Sequence, residues 1–151
     1  MLFRSVATVV GKKCGGLGTA PNPDSPLAEH ARAAVAETIA QWDIVQPSRA
    51  LEATWGLIRA TNAYLETNEP WKADAGAVVD TVMGDALEAL RIVTILCFAA
   101  IPDTAREIWR RIGMTTDIEQ CRIPTDVAWG GYVAGAAVEK GDPLFPRRTV
   151  A

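Results

Sequence analysis

The stretch "ALEATWGLIRATNAYLETNEPWK", residues 50–72, decides how the chain is read. Apolar residues recur at Leu51, Trp55, Ile58 and Leu65, spacings of four, three and seven that suit one helix face. Pro70 stops that helix, because proline lacks the amide donor and disfavours helical geometry at Glu69. Trp71 then stands on the corner, either as a plug for the core or as a platform offered to something flat.

Working outward, the same logic divides the chain into helices and breaks. Residues 1–13, "MLFRSVATVVGKK", look like the end of a helix closed by Gly15-Gly16. Residues 15–26 form a loop rich in Gly, Pro and Asp. Its Asp24-Ser25-Pro26 is a helix start, with a capping side chain followed by a proline that needs no amide partner. The alanine-rich segment from Pro26 to Trp42 is helical on propensity alone. Pro47-Ser48 opens the next helix, Arg49 to about Thr67. A fourth, from Ala77 to Ala100, carries Val78, Val82, Leu87, Leu90 and Thr94 on one side with Val79, Met83, Ala86 and Val93 beside them. So broad a stripe predicts a central helix with neighbours on more than one face. Residues 104–114 give a shorter fifth helix. Beyond Gly113 the period decays, and 115–151 reads as an irregular tail wrapping the bundle, anchored by Leu144 and Phe145. The class is all-α: one domain over 1–151, an antiparallel bundle of about five helices with an extended C-terminal tail.

Composition excludes several functions. The apolar and charged fractions, 49% and 22%, are those of an ordinary globular domain, and the net charge of −3 argues against gripping nucleic acid by broad neutralisation. Reading a few splayed bases by stacking and hydrogen bonds remains open. Three cysteines without a CxxC pair indicate neither a disulfide framework nor a zinc knuckle. His30, the single histidine, reads as a solvated helix-start residue, so no metal site and no catalytic residue is expected. No apolar run reaches the length of about eighteen residues that a membrane helix needs. Residues 1–23 are basic and free of acid, which faintly resembles an organelle transit peptide; the first helix of the fold is the better reading, and a cytoplasmic location follows. Carboxylates are spread along exposed faces, and Arg110-Arg111 and Arg147-Arg148 read as solvated pairs. Of the five tryptophans, Trp42, Trp55 and Trp109 occupy helical core positions, Trp129 pins the tail, and only Trp71 sits on a corner with polar flanks.

Residues 50–72, together with "ALEALRIVTILCFAAIPDTAREIWRRIGM" (86–114) and "WGGYVAGAAVEKGDPLFPRR" (129–148), resemble the anticodon-binding domain of the methionyl-tRNA synthetases, a class Ia helical bundle. The pieces occur in the family's order. The Asn-x-Tyr helix ending, an acidic residue and then Pro-Trp-Lys are specific to it, as is the terminal Pro-Leu-Phe-Pro-Arg. The resemblance implies that Trp71 stacks on an unstacked base of the CAU anticodon. It also implies that Glu66, where an aspartate is common, helps read the bases. Arg4 matches the arginine of the first bundle helix that bonds the first anticodon base, while its asparagine partner would fall before Met1, leaving that helix truncated. The implied partner is the anticodon loop of a methionine tRNA, with a synthetase catalytic domain in trans as a further one. Motifs like His-Ile-Gly-His and Lys-Met-Ser-Lys-Ser do not occur here. ATP, and zinc in some members, belong to that catalytic part; this chain alone is expected to hold neither and not to aminoacylate. Two alternatives stand beside the RNA-binding reading: one part of a split methionine–tRNA ligase, and a bundle re-used for protein interaction.

Overall fold

The computed structural model describes residues 2–149, and among them the secondary structure is helical throughout. Five α-helices follow in order: α1 Leu2–Lys13, α2 Pro26–Asp43, α3 Pro47–Asn68, α4 Ala77–Cys97 and α5 Pro102–Arg111. Two short 3₁₀ turns, Ile118–Gln120 and Thr125–Val127, lie in the tail. Local chemistry sets the boundaries. The Ser25 hydroxyl accepts from the Leu27 amide at 3.3 Å, with Pro26 in the first turn, so α2 starts where the capping signal stands. α1 ends where Gly15 and Gly16 take positive φ, letting the Gly16 amide turn back onto the Val10 carbonyl at 3.1 Å.

α4 is the axis of the core. Every residue from Val82 to Cys97 is buried, and α1, α2, α3 and α5 all pack against it. The tightest pairing is α2 on α3. Ala28, Ala31, Ala34 and Thr38 line α2, and Ala50, Thr54, Leu57, Thr61 and Leu65 line α3. The α3 seam is therefore turned by one residue from the stripe expected at Leu51, Trp55 and Ile58. Small side chains let the two backbones approach, and the Thr54 and Thr61 hydroxyls are satisfied within the helix by the carbonyls of Ala50 and Leu57. A tryptophan has no room in such a seam. Trp55 is 45% exposed and Trp42 also faces solvent, so of the three tryptophans expected in the core only Trp109 is buried there. Val78, at the open start of α4, and Phe145, near the end of the tail, are likewise exposed; Leu144 does pack against the core.

The tail does wrap the bundle, and buried charge holds it. Glu88 on α4 accepts the amides of Gly130, Gly131 and Tyr132 at 2.8, 3.0 and 2.8 Å. Its ion-pair partner Arg91, 2.7 Å away, donates to the carbonyls of Asp126 and Ala128. Arg111 donates to the carbonyls of Lys140 and Asp142 and is not solvated, unlike its neighbour Arg110. Asp85 and Glu88 are thus buried carboxylates, against the expectation that all carboxylates line exposed faces. Both are tolerated inside because every carboxylate oxygen has at least one donor: two bonds for Asp85 and five for Glu88. The Gly15–Gly18 loop pairs with the same tail: Gly18 donates to Ala136 and Gly135 donates to Gly18, each at 2.8 Å. Gly84 is required where the 19–22 loop crosses α4, since a Cβ there would lie 2.1 Å from the Ala20 carbonyl oxygen.

Candidate functional site

The C-terminal end of α3 builds a rigid corner. Glu69 caps the helix in the left-handed region, φ 41°, and its amide reaches the Leu65 carbonyl at 2.8 Å. The Lys72 amide then donates to the Glu69 carbonyl at 2.9 Å, closing a four-residue turn with Pro70 and Trp71 at its centre. Lys72 Nζ pairs with Glu69 Oε1 across the same turn at 2.6 Å. Pro70 is buried. On the far side of Trp71, Ala73 packs against the core, and its carbonyl accepts from Lys13 Nζ at 2.8 Å. Pro70 before the indole and Ala73 two residues after it are therefore tied down while the ring itself is 45% exposed. Trp71 is therefore not a core plug.

The helix that carries this corner is fastened one turn before it. Tyr64 Oη donates to Asp85 Oδ2 at 2.7 Å, and Asp85 Oδ1 accepts from the Asn22 amide at 2.7 Å. The Asn22 carbonyl in turn accepts from Trp129 Nε1 at 2.9 Å, so Trp129 pins the tail as its position beside the Gly-Gly turn suggests. Burial, reinforced by the Asp85 carboxylate, pushes the Tyr64 hydroxyl well above its ordinary value, which keeps it a donor. Between the start of α2 and the end of α3 lies an open, shallow groove lined by Leu27, His30, Ala63, Tyr64, Thr67 and Asn68. It encloses no apolar pocket of the kind that excludes water from a reaction.

The three residues singled out from the sequence are all on the surface. Glu66 is exposed in the last turn of α3, five residues before Trp71. Arg4 is exposed in the first turn of α1 and makes no ion pair among the described residues. The Lys13–Ala73 bond brings the C-terminal end of α1 to the corner, and Arg4 lies nine residues back along that helix, about 13 Å. Glu66 and Trp71 thus share one helix end, whereas Arg4 stands off from it. A flat π surface can stack a planar heterocycle, and a carboxylate can accept from an exocyclic amino group. Among the described residues, no group of three His, Cys, Asp or Glu is placed to hold a metal ion, and no helix is long and apolar enough to cross a membrane. Sequence reasoning missed the supports: Lys13, Tyr64–Asp85 and Glu88–Arg91. The last had a signal, a charged i,i+3 pair inside an otherwise apolar helix.

No family model matches the chain. Curated relatives do. The methionine–tRNA ligase of Streptomyces coelicolor is 28% identical over 160 residues, covering 97% of this chain and 30% of that protein. Its counterpart from Streptococcus pneumoniae is 32% identical over 133 residues, covering 82% and 19%. Among solved structures, the free form of Mycobacterium tuberculosis methionyl-tRNA synthetase superposes with a TM-score of 0.78 at 20% identity, over 99% of this chain and 32% of that one. Its methionyl-adenylate-bound form gives 0.76. At that identity the structures establish the fold, which is the helical arrangement expected. The relatives establish descent: the chain is homologous to the methionyl-tRNA synthetases, matching under a third of each relative's length with nearly all of its own.

Proposed function

We propose that the chain is a tRNA-binding domain that recognises the CAU anticodon loop of a methionine tRNA, as the C-terminal portion of a methionyl-tRNA synthetase would. Trp71 stacks on an unstacked base. Glu66 accepts from a base amino group, and Arg4 donates to the first anticodon base. The observation that carries this reading is the half-exposed indole held between the buried Pro70 and Ala73, which packs on the core and accepts from Lys13. A stacking platform works best when its orientation does not have to be fixed at the moment of binding. The acidic surroundings fit as well: Glu66, Glu69 and Asp74 outnumber Lys13 and Lys72, so the corner is net acidic and favours base edges that donate.

Aminoacylation is the work of a catalytic part acting with this domain, ATP being bound there and not here, and a cytoplasmic site of action belongs to the same reading. The test is binding of the purified chain to a CAU anticodon stem-loop and to one with its first anticodon base changed. Stacking contributes about 1–3 kcal/mol per base, so Trp71→Ala should weaken binding by roughly 5- to 150-fold. Unchanged affinity in that variant, or no binding by the parent chain, would sink the proposal.

A second reading, a bundle used for protein interaction, is favoured by the α2–α3 connection, where Trp42, Ile44 and Val45 are exposed together. A chain that stays monomeric in light scattering at high concentration, and that does not bind a synthetase catalytic domain, would count against it.

A further inference from the structure

α1 carries a second feature, of which base recognition uses only Arg4. Its solvent side consists of Arg4, Ser5, Thr8, Gly11 and Lys12, which fall within an arc of roughly 120° at 100° per residue. No carboxylate precedes Asp24 in the chain. Among the described residues most arginines are spoken for: Arg32, Arg59, Arg91, Arg106, Arg110 and Arg111 each sit in an ion pair. Arg4 and Lys12 are in none; neither are Arg49, Arg122, Lys140, Arg147 and Arg148, but Lys12 alone of these adjoins the residue that reaches the corner. Lys13, next along the helix, points the other way and binds the carbonyl two residues after Trp71. That bond sets Lys12 one residue from the point where α1 meets the corner.

Resting on the RNA-binding reading above, we propose that this face of α1 is a phosphate track: Lys12 contacts the sugar–phosphate backbone of the strand whose base stacks on Trp71. Charge divides the two surfaces. The corner is net acidic and suits base edges; the face of α1 is cationic, with small hydroxyl and glycine positions that let a backbone lie close. A domain of net charge −3 then holds an anion through one local strip and no general attraction. Lys12 adds affinity without sequence preference, which phosphate contacts do in general.

The test is the salt dependence of binding to the CAU stem-loop. Each phosphate contact on a single strand contributes about 0.7 to the slope of log K against log salt, equivalent to roughly fivefold at 0.1 M salt. Lys12→Gln should weaken binding by about that factor to the CAU loop and to the altered loop alike, with a slope shallower by about 0.7. Gly11→Lys, at a position where a Cβ meets nothing within 4 Å, should steepen the slope by a similar amount. Lys140→Gln, an exposed cation in the tail, serves as the control and should leave it unchanged. If the parent chain binds, Trp71→Ala weakens it, and Lys12→Gln keeps the parent slope, the phosphate track is wrong and the anticodon reading survives. If the parent chain binds no RNA, both fall.

Discussion

The two ends of α3 look alike at first and differ in what supports them. Each presents an exposed tryptophan, Trp55 toward the start and Trp71 just past the end, and each adjoins a non-glycine residue at positive φ, Val45 at 56° and Glu69 at 41°. At the C-terminal end the turn is fastened by the buried Pro70, the Lys13–Ala73 bond, the Lys72–Glu69 pair and, one turn back, Tyr64 on Asp85. At the N-terminal end the α2–α3 connection is closed by its own backbone, Val45 to Trp42 and Gln46 to Gln41. Exposure alone does not mark a site. An exposed aromatic whose corner is braced to two other helices, α1 and α4, has been given an orientation, and orientation is what a stacking surface needs.

The largest expected effect removes the frame common to both ends. Glu88→Ala leaves Arg91 buried without its counter-charge and strands three tail amides. Breaking one partner of a buried pair costs about 3–5 kcal/mol, so urea denaturation should show that loss or no folded protein at all. A smaller loss would mean that water replaces the carboxylate. Next comes the contrast itself. Trp71→Ala should lower stem-loop affinity by about 1–3 kcal/mol, whereas Trp55→Ala should leave it unchanged. Both variants should unfold within about 0.5 kcal/mol of the parent, since each removes a surface residue. Equal effects of the two on binding would erase the distinction between the ends. Smaller again is Lys13→Gln, which cuts one brace to the corner. A charge-assisted hydrogen bond at a half-buried position should cost about 1 kcal/mol in stability, and affinity should fall less than in Trp71→Ala, because the indole remains with a looser orientation.

Much of this was legible in the sequence. The five helices, the centrality of α4 and the corner at Pro70-Trp71 follow from apolar period, capping residues and proline, all of which act within a turn or two of themselves. What escaped was set by partners far along the chain. The α3 seam turned by one residue because α2 brings alanines, which favour Thr54 over Trp55 at the contact; nothing in residues 50–72 alone says so. Glu88 and Arg111 look solvated until the tail folds back with its amides and carbonyls. At the candidate site, Trp71, Glu66 and Arg4 were named from motif resemblance, and the structure adds their exposure together with the separation of nine residues along α1 between Arg4 and the Lys13 that reaches the corner. Lys13, which ties α1 to the corner, was out of reach, since its acceptor is a backbone carbonyl sixty residues away.

The smallest expected effect tests the N-terminal end of α3 directly. Val45 is 78% exposed, so it buries little apolar area, yet it is a β-branched residue held in the left-handed region, where its Cβ crowds the carbonyl oxygen. That conformation costs about 1–2 kcal/mol for such a side chain, and asparagine reaches it far more readily without the extra unfolded-state freedom of glycine. Val45→Asn should therefore stabilise the chain by about 1 kcal/mol, a rise of roughly 2–4 °C in Tm for a domain of this size. Stem-loop affinity should not move, because the connection lies at the other end of a helix about 33 Å long. Strain of this kind persists where it serves a purpose or where selection does not see it. A gain in stability with RNA binding intact, together with lost affinity for a synthetase catalytic domain, would assign the strained Val45 to a protein contact. A gain in stability with both kinds of binding intact would leave Trp71's end of α3 as the one that acts.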